Sequence, residues 1–348
     1  MNLSADPTVR RILIVKWSAM GDVAISSAGM EDLHRAFPDA RIDLSTAPPW
    51  HRLFHDDPRL TEILVQDLRG QRQLATAWRW LRTVAANRYD LIVDLQTTDR
   101  SRIMIGLLWL LGGQARYRVG NKRAFPYNVW PRKSAPIRHA LDIIGDSLES
   151  IGVSAVSTRP VLHCPHERRR LVDETLEQHA LSGRNYAVFL PGSQAAGTIK
   201  RWGASRFSEL ARRLLDAGVD KVVLLGGPDE IDECASIALQ VGDGVLNLAG
   251  RTELLDLVAY CEHACLIVGN DTGTAHVGSS ASTPMLVVCG PTDPNRVLPA
   301  GSNVQGIQAA LPCINCYKKF CSHHTCMAWV TPSMVMRKLE QMRALPGC

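Results

Sequence analysis

The sequence predicts an α/β protein built from two Rossmann-like parallel-sheet halves facing a central cleft. Three observations carry this. Short, continuously apolar runs such as R-I-L-I-V at 11–15 and C-L-I-V at 265–268 alternate with longer amphipathic stretches. Strands buried on both faces and spaced by helices belong to parallel sheets covered on both sides. The alternation breaks once, between Pro160 and Ser182, at a proline-flanked stretch rich in Arg and Glu, and then starts again. Several apolar runs also end in polar, Gly-containing turns, which is how open α/β sheets present ligand sites.

Taken in order, 11–15 reads as a buried strand, 23–37 as a helix, 40–45 as a second strand and 63–65 as a short third. A helix follows over 74–86. Residues 89–95, Y-D-L-I-V-D-L, are again a buried strand. A polar helix at 166–181 reads as an interdomain connection. The second series has strands at 186–190, 221–225, 265–268 and 285–288 and helices at 205–217, 230–239 and 254–263. A last helix, 333–343, opens after Pro332, a residue suited to a first helical turn. The domains are therefore 1–160, a linker helix 161–183, 184–331 and a terminal helix 332–348.

The 348 residues allow two domains of ordinary size, and 46% hydrophobic with 21% charged residues is a globular composition. Asp6 and Asp22 flank the first apolar run, so it does not read as a signal peptide. The longest apolar stretch, 103–111, is about half of what spans a bilayer. A cytoplasmic location is expected, with contact at the inner face of the inner membrane left open.

The net charge of +5 is uneven. Residues 1–163 hold 22 Lys and Arg against 16 Asp and Glu; between Arg69 and Arg138 there are fourteen basic residues and three acidic ones. Such a local excess points to an anionic partner. Aromatic and basic residues are not interleaved as in nucleic-acid modules, so no nucleic-acid partner is expected.

Cys313, Cys316, Cys321 and Cys326 form C-x2-C-x4-C-x4-C. A metal knuckle would normally repeat the C-x2-C spacing, so a compact thiol-lined loop is the expected reading and no cofactor is assigned. Cys164, Cys234, Cys261, Cys265 and Cys289 read as small core residues, and Cys348 as a terminal thiol.

The chemistry-bearing turns follow the strands. V-G-N-D-T-G-T-A-H-V-G at 268–278 passes from strand to turn to helix start. First-turn N–H groups make an anion site there, and Gly273 permits close approach. Asp271, Thr272, Thr274 and His276 surround it, so the turn reads as a diphosphate cradle, although a plain helix cap would look similar. C-G-P-T-D-P at 289–294 ends the next strand. L-P-G-S at 190–193 precedes Lys200, Arg201 and Trp202. There Ser193 and Thr198 are candidate phosphate donors, and Lys200 the cation for a leaving diphosphate. L-L-G-G-P-D-E (224–230) offers Glu230 for a ribose diol; L-A-G-R-T-E-L (248–254), with Thr252, is a candidate base-covering turn. In the first half, K-W-S-A-M-G-D-V-A-I-S-S (16–27) places Asp22 where strand gives way to helix. A helix cap or a general base both fit that position. G-x-G-x-x-G is absent after this strand, which disfavours an NAD enzyme. A non-catalytic nucleotide-binding module remains the competing class.

In their order, K-W-S-A-M-G-D-V, D-L-Q-T-T-D-R-S, F-L-P-G-S with K-R-W, L-L-G-G-P-D-E, N-L-A-G-R-T, G-N-D-T-G-T-A-H and G-P-T-D-P resemble glycosyltransferase family 9, the ADP-heptose:lipopolysaccharide heptosyltransferases. The resemblance implies a GT-B fold with the acceptor held by the first half and the donor by the second. It implies Asp22 as general base, with Lys200 and the 271–276 turn as the donor diphosphate site, and inversion at the heptose carbon without an obligatory metal. The anionic lipopolysaccharide core is the implied acceptor, with Arg100, Lys122 and Arg123 as its candidate contacts. Ala28 and Gly203 depart from the family, which often has Pro at both positions. Another acceptor or another nucleotide sugar would also satisfy these motifs.

Overall fold

The computed structural model describes residues 2–67, 73–132, 139–193 and 195–346. Arg69, Arg72, Lys133, Arg138 and Cys348 thus lie outside the described residues. The chain divides into two compact units, Met1–His163 and Cys164–Cys348.

The first unit holds a five-stranded parallel sheet in the order β3-β2-β1-β4-β5. Its strands are β1 (Arg11–Val15), β2 (Arg41–Thr46), β3 (Glu62–Val65), β4 (Leu91–Asp94) and β5 (Tyr117–Val119). Its helices are α1 (Met20–Ala36), α2 (Gln73–Asn87), α3 (Asp99–Leu107) and α4 (Ala140–Glu149). Ile12 to Val15 and Leu91 to Asp94 are buried throughout, which is why those runs read as continuous in the sequence. Trp17, Trp80, Val84, Ile105 and Leu108 form one face of the core; the Trp17 and Trp80 rings meet edge-on at 6.0 Å. Both indole N–H groups donate to Ser45 Oγ at 2.9 Å, so burying them strands no donor.

The second unit contains α5 (His166–Gln178), β6 (Tyr186–Leu190), α6 (Ala204–Asp216), β7 (Lys221–Leu224), α7 (Ile231–Val241) and β8 (Val245–Asn247). It continues with α8 (Asp256–His263), β9 (Leu266–Asn270), α9 (Gly273–Gly278), β10 (Met285–Cys289), α10 (Pro294–Val297), β11 (Val304–Gln308), α11 (Thr325–Ala328) and α12 (Pro332–Gln341). Its sheet is parallel in the order β11-β10-β9-β6-β7-β8. Both sheets thus reverse strand order beside their first strand, between β1 and β4 and between β6 and β9. Ligands of doubly wound sheets bind at such reversals, outside the strands' carboxyl ends.

The helix expected as a connection, α5, packs on the second unit, where Arg168 Nε donates to Asp256 Oδ1 at 2.8 Å. α3, α4, β5 and β11 do not stand out in the sequence, β8 supplies the strand end expected before 248–254, and the apolar run at 103–111 is the end of α3 with a 3-10 turn, Leu108–Leu111. No helix among the described residues is long and apolar enough to cross a membrane.

Candidate active site

At the reversal of the first sheet, the loop after β1 is clamped by the loop after β4. Gln96 Oε1 accepts from Trp17 N at 2.9 Å and from Ser18 N at 3.1 Å. Gln96 N in turn donates to Asp94 Oδ1 at 2.9 Å. Asp94 is buried; burial pushes its carboxyl above the usual carboxylate range, against the Tyr127 hydroxyl donating to it at 2.6 Å. Lys16 is also buried, with Nζ donating to the Leu95 carbonyl at 3.1 Å. Burial lowers its pKa, opposed by the negative charges of Asp22 and Asp94.

Asp22 itself sits in the first turn of α1 and is exposed. Its capping contact, from Ala19 N, is long at 3.4 Å, so the carboxylate is not consumed by the helix end. The chain here thus presents an exposed carboxylate in a first helical turn, with a buried ammonium in electrostatic reach. The sequence alone assigns no role to Gln96 or Lys16, though each lies inside one of the strand-end motifs, D-L-Q-T-T-D-R-S and K-W-S-A-M-G-D-V.

The second reversal is more heavily stitched. Asn270, fully buried at the end of β9, donates through Nδ2 to the Pro191 carbonyl and accepts on Oδ1 from Trp202 N at 3.1 Å. Asp271, also buried, accepts on Oδ2 from Lys200 Nζ and from Thr292 Oγ1, both at 2.7 Å. Arg201 Nη2 donates to the Ser193 carbonyl at 2.9 Å and the Asp229 carbonyl at 3.0 Å. Turns after β6, β7, β9 and β10 are thereby tied together, and Lys200 is held among them. Trp202 anchors this arrangement from below: its ring is fully buried edge-on to Phe207 at 5.0 Å, and Nε1 donates to the Val330 carbonyl at 2.7 Å. His324 Nε2 meets the Ile199 carbonyl one residue before Lys200. Gly203 has φ +101°, a conformation closed to proline, so the departure from the family at this position belongs to the local backbone. Ala28 is fully buried inside α1 and touches none of this chemistry.

Other candidates fall into place unevenly. α9 begins at Gly273 and has six residues, so an anion there would meet terminal N–H groups rather than a long helix dipole. Thr272 Oγ1 and Thr274 Oγ1 share a hydrogen bond of 2.9 Å beside that terminus, and His276 is buried within α9. The Ser193 hydroxyl donates to the Gly197 carbonyl at 2.9 Å, and its oxygen accepts from Arg201 Nε at 3.2 Å. Thr198 is exposed, and Thr252 follows the outermost strand, β8, outside the stitched network. Arg100 is exposed on α3; Lys122 and Arg123 are exposed after β5, with the Arg123 guanidinium 5.6 Å above the Trp130 ring.

Glu230 is buried with Oε2 accepting from Gly227 N at 2.7 Å; burial raises its pKa, offset by that hydrogen bond. It lies directly over Gly192, where a Cβ would fall 1.7 Å from Glu230 Cγ. Gly192→Ala should therefore displace Glu230 and destabilise the protein by about 1–3 kcal/mol, the usual range for overpacking. Thermal denaturation checks this; an unchanged melting temperature would mean that Glu230 moves aside freely.

Among the described residues no three His, Cys, Asp or Glu side chains are grouped to hold a metal ion. Cys313 and Cys316 are exposed, while Cys326 is buried near Gly290.

A family model described as glycosyltransferase family 9 (heptosyltransferase) matches residues 77–327. The chain belongs to glycosyltransferase family 9. It is 26% identical over 289 residues to lipopolysaccharide heptosyltransferase 3 of Escherichia coli, covering 78% of this chain and 81% of that protein. Its fold is similar to that of a family 9 glycosyltransferase from Veillonella parvula, at TM-score 0.80 and 22% identity, over 96% and 97% of the two chains. It is also similar to E. coli heptosyltransferase WaaC with ADP, at TM-score 0.72 and 21% identity, over 95% and 99%. The architecture is the GT-B fold of this family, two parallel-sheet α/β domains. For a family 9 glycosyltransferase, Asp22 and Lys200 lie at the sheet reversals of the two units, one in each.

Proposed function

We propose that this glycosyltransferase moves heptose from ADP-heptose to the inner core of lipopolysaccharide, in the cytoplasm and at the inner face of the inner membrane. The observation that carries the reading is Lys200 held by Asp271 beside the α9 terminus, at the reversal of the second sheet. In this scheme the acceptor oxygen attacks the anomeric carbon as its proton passes to the Asp22 carboxylate. The bond from that carbon to the diphosphate breaks, and ADP leaves with the electron pair. A single displacement inverts the anomeric centre. Charge growing on the leaving diphosphate is met by Lys200 and by the N–H groups at Gly273 and Thr274, so no metal is given a step. Glu230 is assigned to the ribose and Thr252 to the base. Arg100, Lys122 and Arg123 are assigned to anionic groups of the core, since guanidinium groups bind such groups bidentately.

A panel of nucleotide sugars against truncated lipopolysaccharide cores tests the reading, together with a structure of the protein soaked in ADP. Transfer from ADP-heptose, undiminished by a chelator, is expected, with the diphosphate against 272–274 and near Lys200. Diphosphate found against 18–24 would reverse the assignment of donor and acceptor halves. Transfer from another nucleotide, or to a non-core acceptor only, would replace the proposed substrates.

A further inference from the structure

We infer that the outer face of α2 and the end of α3 form a docking surface for an anionic lipid bilayer. The inward sides of these elements are core: Trp80, Val84, Ile105 and Leu108 are buried together. The outward sides are also apolar. Trp109 is 60% and Leu110 80% exposed, Ile103 59%, Trp78 53% and Phe125 70%. The elements that carry them are in contact: the Leu108–Leu111 turn packs on α2, and Gly113 lies against Ala85. Trp78 lies on the same edge of α2 as Ala85, seven residues before it, and the Phe125 ring rests on Gly106 of α3. An exposed cluster of two Trp residues, Leu, Ile and Phe is unusual on a surface that has no partner.

Charge selects the occupant. α2 carries Arg79 and Arg82 on its exposed face and no acidic residue. From Gln73 to Trp130 the acidic residues are Asp90, Asp94 and Asp99. Asp90 accepts from the backbone of Arg10 and Arg11, Asp94 is buried, and Asp99 pairs with Arg102 at 3.1 Å. The surface is therefore apolar, rich in aromatic side chains and, among the described residues from Gln73 to Trp130, of one sign. Tryptophan and arginine beside aliphatic side chains suit the headgroup layer of an anionic leaflet. A two-fold pairing with a second copy would instead set Arg79 and Arg82 against themselves. The inference deepens the proposed function and rests on it only for the acceptor: Arg100 precedes Ile103 on α3 and Arg123 precedes Phe125, so a docked enzyme would meet a lipid-anchored core beside its candidate contacts.

Flotation of the full chain with vesicles tests this. Binding to phosphatidylglycerol-containing vesicles, but not to pure phosphatidylcholine, is expected, and it should weaken with salt. Arg79→Glu with Arg82→Glu should lower partitioning by roughly fivefold or more per position. Trp109→Glu with Leu110→Glu should abolish it, while both variants keep wild-type melting temperature and wild-type turnover on a water-soluble, delipidated core. No vesicle binding by the wild type, or undiminished binding by both variants, overturns the inference. So does a concentration-dependent dimer, seen by sedimentation, that these substitutions dissolve. Failure of transfer to the soluble core would instead count against the proposed function and leave the vesicle result standing.

Discussion

Asp22→Asn is expected to lower turnover by roughly 10²–10⁴ while leaving donor affinity nearly unchanged, because the amide keeps the size of the carboxylate but accepts no proton. The structural side of the substitution is mild. Asp22 is exposed in the first turn of α1, and the 3.4 Å approach of Ala19 N is one that an amide oxygen also accepts, although the charge that faces Lys16 is lost. Folding stability should therefore change by no more than about 1 kcal/mol, the scale of a first-turn carboxylate at a helix N-terminus. Steady-state kinetics with ADP-heptose and a core acceptor, alongside ADP binding by calorimetry, separates the two effects. Wild-type turnover in the variant sinks the role of Asp22. A collapse of donor affinity would place Asp22 in the donor site instead.

Lys200→Met should also be severe, at roughly 10²–10³ in turnover, the usual loss when one charge stabiliser of a developing anion is removed. Its signature differs from that of Asp22. The Asp271 carboxylate, buried, keeps only the Thr292 hydroxyl of its two partners, so stability should fall as well, by about 1–2 kcal/mol given that Lys200 is itself partly exposed. Asp271→Asn keeps the shape but leaves the Lys200 ammonium without its carboxylate, and it should reproduce part of the turnover loss. Kinetics and melting temperatures of the two variants check this. Full activity in Lys200→Met would remove the lysine from the leaving-group role.

Interior strands were legible because burial on both faces writes itself as an unbroken apolar run. β1, β4, β6, β9 and β10 are of this kind. β5 and β11 do not stand out in the sequence: Tyr117–Val119 has three residues, too few for any period, and Val304–Gln308 lies at a sheet edge where alternate residues stay partly exposed. At the site, the residues were visible but their bonds were not. Lys200 and Asp271 both stood out in the sequence, yet nothing local says that they meet across 71 positions. Arg201 and Asn270 looked like ordinary neighbours of better motifs, and only the sheet order makes them the stitching between turns. Ser193 shows the converse, since a hydroxyl in a promising turn spends its proton on the Gly197 carbonyl.

The bonds from Trp202 to Val330 and from His324 to Ile199 span 128 and 125 positions. Synthesis on the ribosome runs from the N-terminus, so the turn bearing Lys200 emerges long before the residues that brace it. A nascent chain that has already completed the sheet of the first unit still lacks the residues that brace this turn of its second. The capacity to grip a nucleotide should consequently arrive late in translation, with the emergence of 324–341, and a polypeptide released before that point would carry the motif residues without their frame.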